Sequence, residues 1–230
     1  MKIFFSTQIE DGYIRLSESE SKHCFKVLRL KSGNNVFVTD GRGHLYTCKI
    51  EDEHLPLHII DTYQAPAARP YYLHLAVAPV KNQDRIEWMV EKAVETGVDE
   101  ISFVQTSRTE KGKLNMSRLE NKAISAMKQS LHYTLPIIHP MMSLDKFLQN
   151  TPSGLCLIAH CMQGEKTHIS YLPDTDRYTV LIGPEGDFST EEVEKTISSG
   201  FLPLSLGTSR LRTETAALAT CMGLYLTKPL

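Results

Sequence analysis

Two segments in the C-terminal half of the chain combine glycine with carboxylate and hydroxyl side chains. Residues 183–189 read Gly-Pro-Glu-Gly-Asp-Phe-Ser, and residues 206–215 read Leu-Gly-Thr-Ser-Arg-Leu-Arg-Thr-Glu-Thr. Glycine lets a ligand approach the backbone closely, while proline stiffens a turn. Either segment alone is most simply an ordinary turn between a strand and a helix. Two such rigid, polar segments together predict one shared ligand pocket, with Gly186 at a position that no side chain can occupy.

Other ligand-binding motifs are absent from the sequence. It contains no G-x-x-x-x-G-K-[ST] loop, and Gly41-Arg42-Gly43 is not completed to G-x-G-x-x-G, so neither a P-loop nor a Rossmann dinucleotide site is expected. There is no G-x-S-x-G nucleophile elbow. The five cysteines form no C-x-x-C pair and the nine histidines form no H-E-x-x-H motif. We therefore expect neither a disulfide framework nor a bound metal.

The elements around the two segments alternate between strand and helix. Apolar runs predict strands over 72–78, 101–104, 155–159, 179–182 and 202–206, and helical spacing predicts helices over 84–96, 117–131 and 213–226. Ser189 and Glu192 form a capping box that begins one more helix. Gly97 is expected to end the helix over 84–96. Such alternation indicates an α/β domain with a mostly parallel sheet. Its ligands bind in the loops beyond the carboxyl ends of the strands, where both segments lie.

The first 69 residues show a different pattern of predicted elements. Short strands are predicted over 3–6, 36–39, 44–50 and 57–63, with a helix over 19–30 and a glycine turn at 40–43. Short strands with little helix suggest a small β-barrel. Residues 64–70 contain two prolines and few large apolar side chains, which is typical of a linker. The chain length of 230 residues also allows two modest domains.

Charge is distributed unevenly along the chain. The formal net charge is −2, yet residues 22–49 hold six basic residues against one acidic, and residues 108–128 hold six against two. Two basic segments on an otherwise acidic chain suit a protein that touches phosphates over part of its surface, although solvated faces would look the same. With 41% apolar and 23% charged residues, and without a long apolar run or a signal peptide, we expect an ordered, cytoplasmic protein.

The two C-terminal segments resemble one particular family. Residues 183–189, followed by Leu206-Gly207 and by Leu-Arg-Thr-Glu-Thr-Ala at 211–216, are similar to the RsmE family of 16S rRNA uracil-N3 methyltransferases, which belongs to the SPOUT (trefoil-knot) class. The similarity runs through the chain in order. It also includes these segments: His23 with Val27-Leu28-Arg29, residues 40–43, Lys81 with Asp84-Arg85 and Glu91-Lys92, Gly97-Val98, and Lys128-Gln129-Ser130.

The resemblance implies a fold, a reaction and partners. It implies a PUA-like, RNA-binding β-barrel over residues 1–69, and over 70–230 a SPOUT domain whose mostly parallel sheet carries a deep trefoil knot. The cofactor would be S-adenosylmethionine, and the product a uridine methylated at N3 in 16S rRNA, within the small ribosomal subunit. The family acts as a homodimer, and the last predicted helix is apolar on several faces, which suits either a two-fold interface or burial in one large core. Two alternatives remain: action on another RNA, or an RNA-binding homologue without catalysis.

Site residues follow from the same resemblance. N3 of uracil is a poor nucleophile until its proton leaves, so Arg212 and Glu214 are catalytic candidates, as a cation for the anion and as a base. Their alternative roles are a surface ion pair and a carboxylate at a helix start. The expected cofactor-binding residues are Ile182, Gly183, Glu185, Gly186, Leu206, Gly207, Leu211, Arg212 and Thr213. The expected RNA contacts are Lys22, His23, Arg29, Arg42, Lys81, Arg85, Arg108 and Lys111.

The sequence departs from the family pattern at three places. Ile3 stands where arginine often precedes the apolar pair Phe4-Phe5, His132 stands where arginine is common, and Cys161 replaces a frequent glutamate. The glycine-rich segments that would bind the cofactor keep the pattern. The departures therefore concern individual RNA contacts rather than cofactor binding.

Overall fold

The computed structural model describes residues 2–53, 56–66, 69–110, 112, 114–150 and 154–228. The chain divides into two compact units, one of Met1–Ala68 with Ile124–Leu135, the other of Arg69–Ala123 with Pro136–Leu230. Residues 124–135 thus join the N-terminal unit, which a division at the linker alone does not anticipate. The domain assignment of 1–69 and 70–230 stays a prediction.

The N-terminal unit contains one six-stranded sheet. Its strands are β1 (Ile3–Phe5), β2 (Gln8–Glu10), β3 (Tyr13–Arg15), β4 (Asn35–Thr39), β5 (His44–Lys49) and β6 (Leu57–Gln64), in the spatial order β1-β4-β5-β6-β3-β2. Strands β1 and β4 are parallel, and all the other pairs are antiparallel. Alternate residues of these strands point into one apolar core that includes Phe4, Ile14, Val36, Val38 and Cys48.

The predicted helix over 19–30 takes a different form. Helix α1 (Glu18–Ser21) is capped by the Ser17 hydroxyl and continues into a π-helical turn over Lys22–Val27. The amide of Leu28 donates to the carbonyl of His23, five residues earlier, instead of four. The spacing of apolar residues alone does not distinguish a π-helical turn from an α-helical turn, so the sequence predicted a regular helix.

The C-terminal unit is built on a seven-stranded sheet in which every neighbouring pair is parallel. This confirms the predicted mostly parallel α/β sheet. Its strands are β7 (Tyr72–Val77), β8 (Glu100–Gln105), β9 (Ile137–Ser143), β10 (Leu155–Ala159), β11 (Thr167–His168), β12 (Arg177–Ile182) and β13 (Leu202–Ser205), in the spatial order β11-β13-β10-β12-β7-β8-β9. The central strands are almost continuously buried, because helices and loops cover both faces of a parallel sheet.

Five helices accompany this sheet: α2 (Gln83–Glu95), α3 (Met116–Gln129), α4 (Leu144–Gln149), α5 (Thr190–Ser198) and α6 (Thr213–Thr227). Gly97, with φ of +84°, follows the end of α2 in the left-handed conformation predicted for it. The predicted capping box is also present, since Ser189 and Glu192 bond each other's backbone amides. Among the described helices, none combines the length and apolar character needed to cross a membrane.

The strand order determines where the predicted ligand loops meet. Strands β13, β10 and β12 are neighbours and parallel, so their carboxyl ends at Ser205, Ala159 and Ile182 lie along one edge of the sheet. The loops that leave these three strands therefore start side by side.

Candidate functional site

The loops after β10, β12 and β13 enclose a cavity of about 440 Å³. The first turn of α6 completes its wall. The lining residues are 159–161, Lys166, 182–185, Asp187, 204–211, Thr213 and Ala216. Seven of the nine predicted cofactor-binding residues are among them: Ile182, Gly183, Glu185, Leu206, Gly207, Leu211 and Thr213. The shared pocket predicted from two separate segments is thus present as one cavity, to which the loop after β10 contributes a third wall.

The loop after β12 is held by contacts within its own turn and by its neighbour. Asp187 has φ of +60°, and its amide donates to the carbonyl of Pro184. One carboxylate oxygen of Asp187 accepts from the amide of Cys161 at 3.0 Å, which ties the loop after β12 to the loop after β10. Ser189 then begins α5 with the capping box. The turn is therefore fixed at both ends.

The glycines of this loop differ from the sequence prediction. A Cβ atom added at Gly183 would lie 2.8 Å from the ring of Phe188, which is fully buried. At Gly186, by contrast, an added Cβ would meet Arg108 at 3.4 Å, an ordinary contact, and Gly186 does not line the cavity. Of these two positions, Gly183 rather than Gly186 is the one that excludes a side chain.

The second wall comes from the loop after β13 and the start of α6. Gly207 has φ of +117°, a conformation that L side chains rarely adopt. The hydroxyl of Thr213, the first residue of α6, donates to the buried carbonyl of Gly183 at 2.8 Å. This bond joins the two glycine-containing segments directly. Between them, Arg212 precedes α6 with an exposed side chain that makes no capping bond and does not line the cavity.

Two arginines that are predicted to touch RNA contact the loop after β12 in the structure. Arg108 donates from Nη1 to the carbonyls of Gly186 at 3.0 Å and Phe188 at 3.2 Å. Arg85, in the first turn of α2, places Nη1 2.8 Å from a carboxylate oxygen of Glu185. Both guanidinium groups thus have protein partners in the loop after β12.

Glu214 lies outside the cavity. Its side chain is 8% exposed, and Oε1 is 3.7 Å from Nε of Arg85. The other oxygen, Oε2, is buried without a hydrogen-bond partner. A carboxylate in the first turn of a helix is stabilised by the helix dipole. The position of Glu214 suits a helix-start carboxylate, and its assignment as a base stays a prediction.

The other predicted RNA contacts fall into two groups. Lys22, His23, Arg29 and Arg42 belong to the N-terminal unit, and all four are exposed. Lys81, in the C-terminal unit, is exposed and lies 3.9 Å from the carboxylate of Glu110. Lys111 lies outside the described residues.

Sequence reasoning missed several residues of the cavity. Arg210 lies in the loop after β13 with an exposed side chain. His160 and Lys166 belong to the wall formed after β10, where the Lys166 ammonium donates to the His160 carbonyl at 2.6 Å. Burial, reinforced by the charge of Lys166, lowers the pKa of His160 below its usual value, so its imidazole is neutral near pH 7. The signal available in the sequence was that His160 directly follows a buried strand and that Arg210 and Lys166 lie in the loops after such strands.

Among the residues that the structure describes, no group of three or more His, Cys, Asp or Glu side chains is arranged to hold a metal ion. Cys161 lines the cavity as an exposed free thiol, while Cys24, Cys48, Cys156 and Cys221 are buried. Burial raises the pKa of Cys48 to about 12, so this thiol stays protonated.

Comparison with known proteins agrees with this architecture. Residues 67–224 match the family model of an RNA methyltransferase domain, and residues 16–55 match that of an RNA methyltransferase PUA domain. The N-terminal unit therefore contains the predicted PUA-like fold.

Two solved structures and one curated sequence are similar over nearly their whole length. A protein described as a probable rRNA-methyltransferase from Porphyromonas gingivalis is 36% identical, with a TM-score of 0.92 over 99% of this chain and 98% of its own. The ribosomal RNA small subunit methyltransferase E of Neisseria gonorrhoeae, bound to S-adenosyl methionine, is 25% identical, with a TM-score of 0.82 over 98% and 97%. The enzyme of the same name from Rickettsia conorii is 29% identical over 94% of this chain and 91% of its own. The chain therefore belongs to the RsmE family of RNA methyltransferases.

Proposed function

We propose that this protein transfers a methyl group from S-adenosylmethionine to N3 of a uridine in 16S rRNA. The observation that carries the proposal is the cavity formed by the three loops after β10, β12 and β13. Its position at the carboxyl edge of a parallel sheet is where such folds bind ligands. The relatives from Rickettsia conorii and Neisseria gonorrhoeae, both named as small-subunit rRNA methyltransferases, support rRNA as the substrate.

The residues around the cavity suit S-adenosylmethionine. A volume of about 440 Å³ is within the range of small-molecule sites. Leu206 and Leu211 offer apolar walls for the adenine ring, while the backbone of Gly183 and Gly207 can approach its polar edge. Glu185 supplies negative charge on the same wall, which complements the positive charge of the cofactor. When bound, the cofactor supplies an activated methyl group on a sulfonium.

The chemistry at the substrate requires loss of a proton. A bond forms between N3 and the methyl carbon as the bond from that carbon to sulfur breaks, and the N3 proton leaves to a base or to water. Arg212, with Arg210 two residues before it, is our candidate for stabilising the uracil anion, because both side chains are exposed beside the cavity. Since Glu214 does not line the cavity, we propose that it supports the site through Arg85 rather than accepting the proton.

The RNA must present an unpaired uridine, because N3 lies on the Watson–Crick edge. We propose that Lys22, His23, Arg29 and Arg42 contact the flanking phosphates, since all four are exposed in the PUA-like unit. The further parts of the proposal are a trefoil knot in the C-terminal domain, a homodimer, a cytoplasmic location and the small ribosomal subunit as the setting. The membership of the RsmE family supports them.

One pair of measurements tests the proposal. Calorimetric titration should show binding of S-adenosylmethionine to the purified protein. Incubation with 16S rRNA, or with small subunits from a strain that lacks the gene, should produce 3-methyluridine detectable by nucleoside mass spectrometry. Cofactor binding without a methylated product would indicate another RNA substrate. Absence of cofactor binding would favour an RNA-binding protein without catalysis and contradict the proposal.

A further inference from the structure

Arg85 connects two carboxylates that come from different segments of the chain, one on the cavity wall and one directly after it. It lies in the first turn of α2, after the Asn82 cap, and 100 residues before its first partner in the sequence. Its Nη1 is 2.8 Å from Oε1 of Glu185, and its Nε is 3.7 Å from Oε1 of Glu214. The two contacts use different nitrogens of one planar guanidinium, which fixes their relative orientation.

Each carboxylate belongs to a segment that shapes the cavity. Glu185 lines the cavity within the loop after β12. Glu214 directly follows Thr213, which lines the cavity and bonds the carbonyl of Gly183. Arg85 therefore holds, from a third element, the same two segments that the bond between Thr213 and Gly183 joins.

The two carboxylates depend on Arg85 for a compensating positive charge. In the described part of the chain, Arg85 is the only cationic side chain within 4 Å of either carboxylate. Glu214 is almost fully buried, and a buried carboxylate without a paired cation is strongly unfavourable. Without Arg85, the start of α6 and the loop after β12 would carry two uncompensated negative charges.

We propose that Arg85 is a positioning residue of the cofactor site and that it acts through Glu185 and Glu214. It keeps the loop after β12 and the start of α6 in the geometry that binds S-adenosylmethionine. This inference rests on the proposed function, because it takes that cofactor as the occupant of the cavity. It replaces the expectation that Arg85 contacts an RNA phosphate.

Three possible roles of Arg85 predict different measurements: a phosphate contact, a positioning residue and a purely structural ion pair. An arginine that neutralises a phosphate contributes about 0.7 to 0.9 to the slope of log affinity against log salt concentration for RNA. A positioning residue already paired with two carboxylates contributes nothing to that slope. A purely structural ion pair would lower the stability of the fold without a specific effect on cofactor binding.

Arg118 provides a matched control. It lies on α3, and its Nε is 2.7 Å from Oε1 of Glu87, a buried carboxylate on the same helix α2. The two arginines thus make similar ion pairs to buried glutamates, but neither Arg118 nor Glu87 lines the cavity. Arg118→Ala therefore reports the loss of such a pair without a change in the site.

The experiment compares Arg85→Ala, Arg85→Lys and Arg118→Ala by calorimetric titration with S-adenosylmethionine. We expect Arg85→Ala to weaken binding about tenfold and to raise the KM for this cofactor by a similar factor. The affinity for 16S rRNA and its salt slope should match the wild type. Arg85→Lys should recover part of the affinity, because lysine restores the charge but not the planar fork. Arg118→Ala should bind the cofactor as the wild type does.

Glu185→Ala, alone and combined with Arg85→Ala, keeps the inference falsifiable if the single arginine variant folds poorly. The effects of the two substitutions on cofactor affinity should be coupled. The double variant should then bind S-adenosylmethionine about as weakly as whichever single variant has the lower affinity. Unchanged cofactor affinity in Arg85→Ala, additive effects in the double variant, or a flatter RNA salt slope would each overturn the positioning role and leave the proposed function intact. A wild-type protein that does not bind S-adenosylmethionine would overturn both.

Discussion

Replacing Thr213 by valine tests the bond that joins the two cavity walls. The hydroxyl of Thr213 donates to the carbonyl of Gly183 at 2.8 Å, and Thr213 is 4% exposed. Valine keeps the branched shape of the side chain but removes the donor, so the buried carbonyl loses this partner. Leaving a buried acceptor unsatisfied costs about 1 to 3 kcal/mol. Because the loss falls on the wall of the cavity, we expect up to a similar free energy to be lost from cofactor binding, which is about fivefold in Kd for 1 kcal/mol and about 150-fold for 3 kcal/mol.

The assay combines urea denaturation with calorimetric titration of S-adenosylmethionine. Thr213→Ser retains the donor and should bind the cofactor nearly as the wild type does. Thr196→Val is the matched control, since the buried Thr196 hydroxyl donates to the carbonyl of Glu192 within helix α5, and neither residue lines the cavity. It should leave cofactor affinity unchanged. Thr213→Val with wild-type stability and affinity would refute the reasoning.

Three further predictions concern the loop, the sheet and the RNA surface. Gly183→Ala should destabilise the protein, because its Cβ would lie 2.8 Å from a buried ring, whereas Gly186→Ala should be tolerated; thermal denaturation compares the two. Burial lowers the pKa of His74 to about 4, so between pH 6.5 and pH 4 the unfolded chain binds a proton that folded His74 does not. The free energy of unfolding should fall by about 3 kcal/mol more in the wild type than in His74→Asn across this range, measured by urea denaturation. Neutralising Arg29 and Arg42 should flatten the salt dependence of rRNA binding without a change in cofactor affinity; an unchanged slope would make them solvated side chains only.

The C-terminal sheet could be predicted because its signals are local. Strand β10 occupies the predicted residues 155–159, and β12 and β13 differ from their predictions by one or two residues at an end. Buried parallel strands read as continuous apolar runs, and the capping box fixes where α5 begins. Once strand ends and parallel pairing are known, the loops that follow neighbouring strands must meet.

Shorter and less regular elements escaped prediction. Strands β2 and β3 have three residues each, too few to show alternation, and β9 with the following α4 carries no long apolar run. The inclusion of residues 124–135 in the N-terminal unit depends on contacts distant in sequence, such as the amide of Leu135 donating to the carbonyl of Gly41. Patterns within a short window contain no information about such pairings.

The roles of the arginines show what a sequence pattern leaves open. Residue type alone makes Arg85, Arg108, Arg210 and Arg212 candidates for contacts with RNA or with the substrate. In the structure, Arg85 pairs with carboxylates and Arg108 with backbone carbonyls, whereas the described residues offer the exposed side chains of Arg210 and Arg212 no hydrogen-bond partner. A guanidinium already bonded within the protein must give up those bonds before it can bind a phosphate or a uracil anion. We therefore expect Arg210 and Arg212 to be the arginines of this set that reach the substrate, and Arg85 and Arg108 to be the ones that hold the loop after β12.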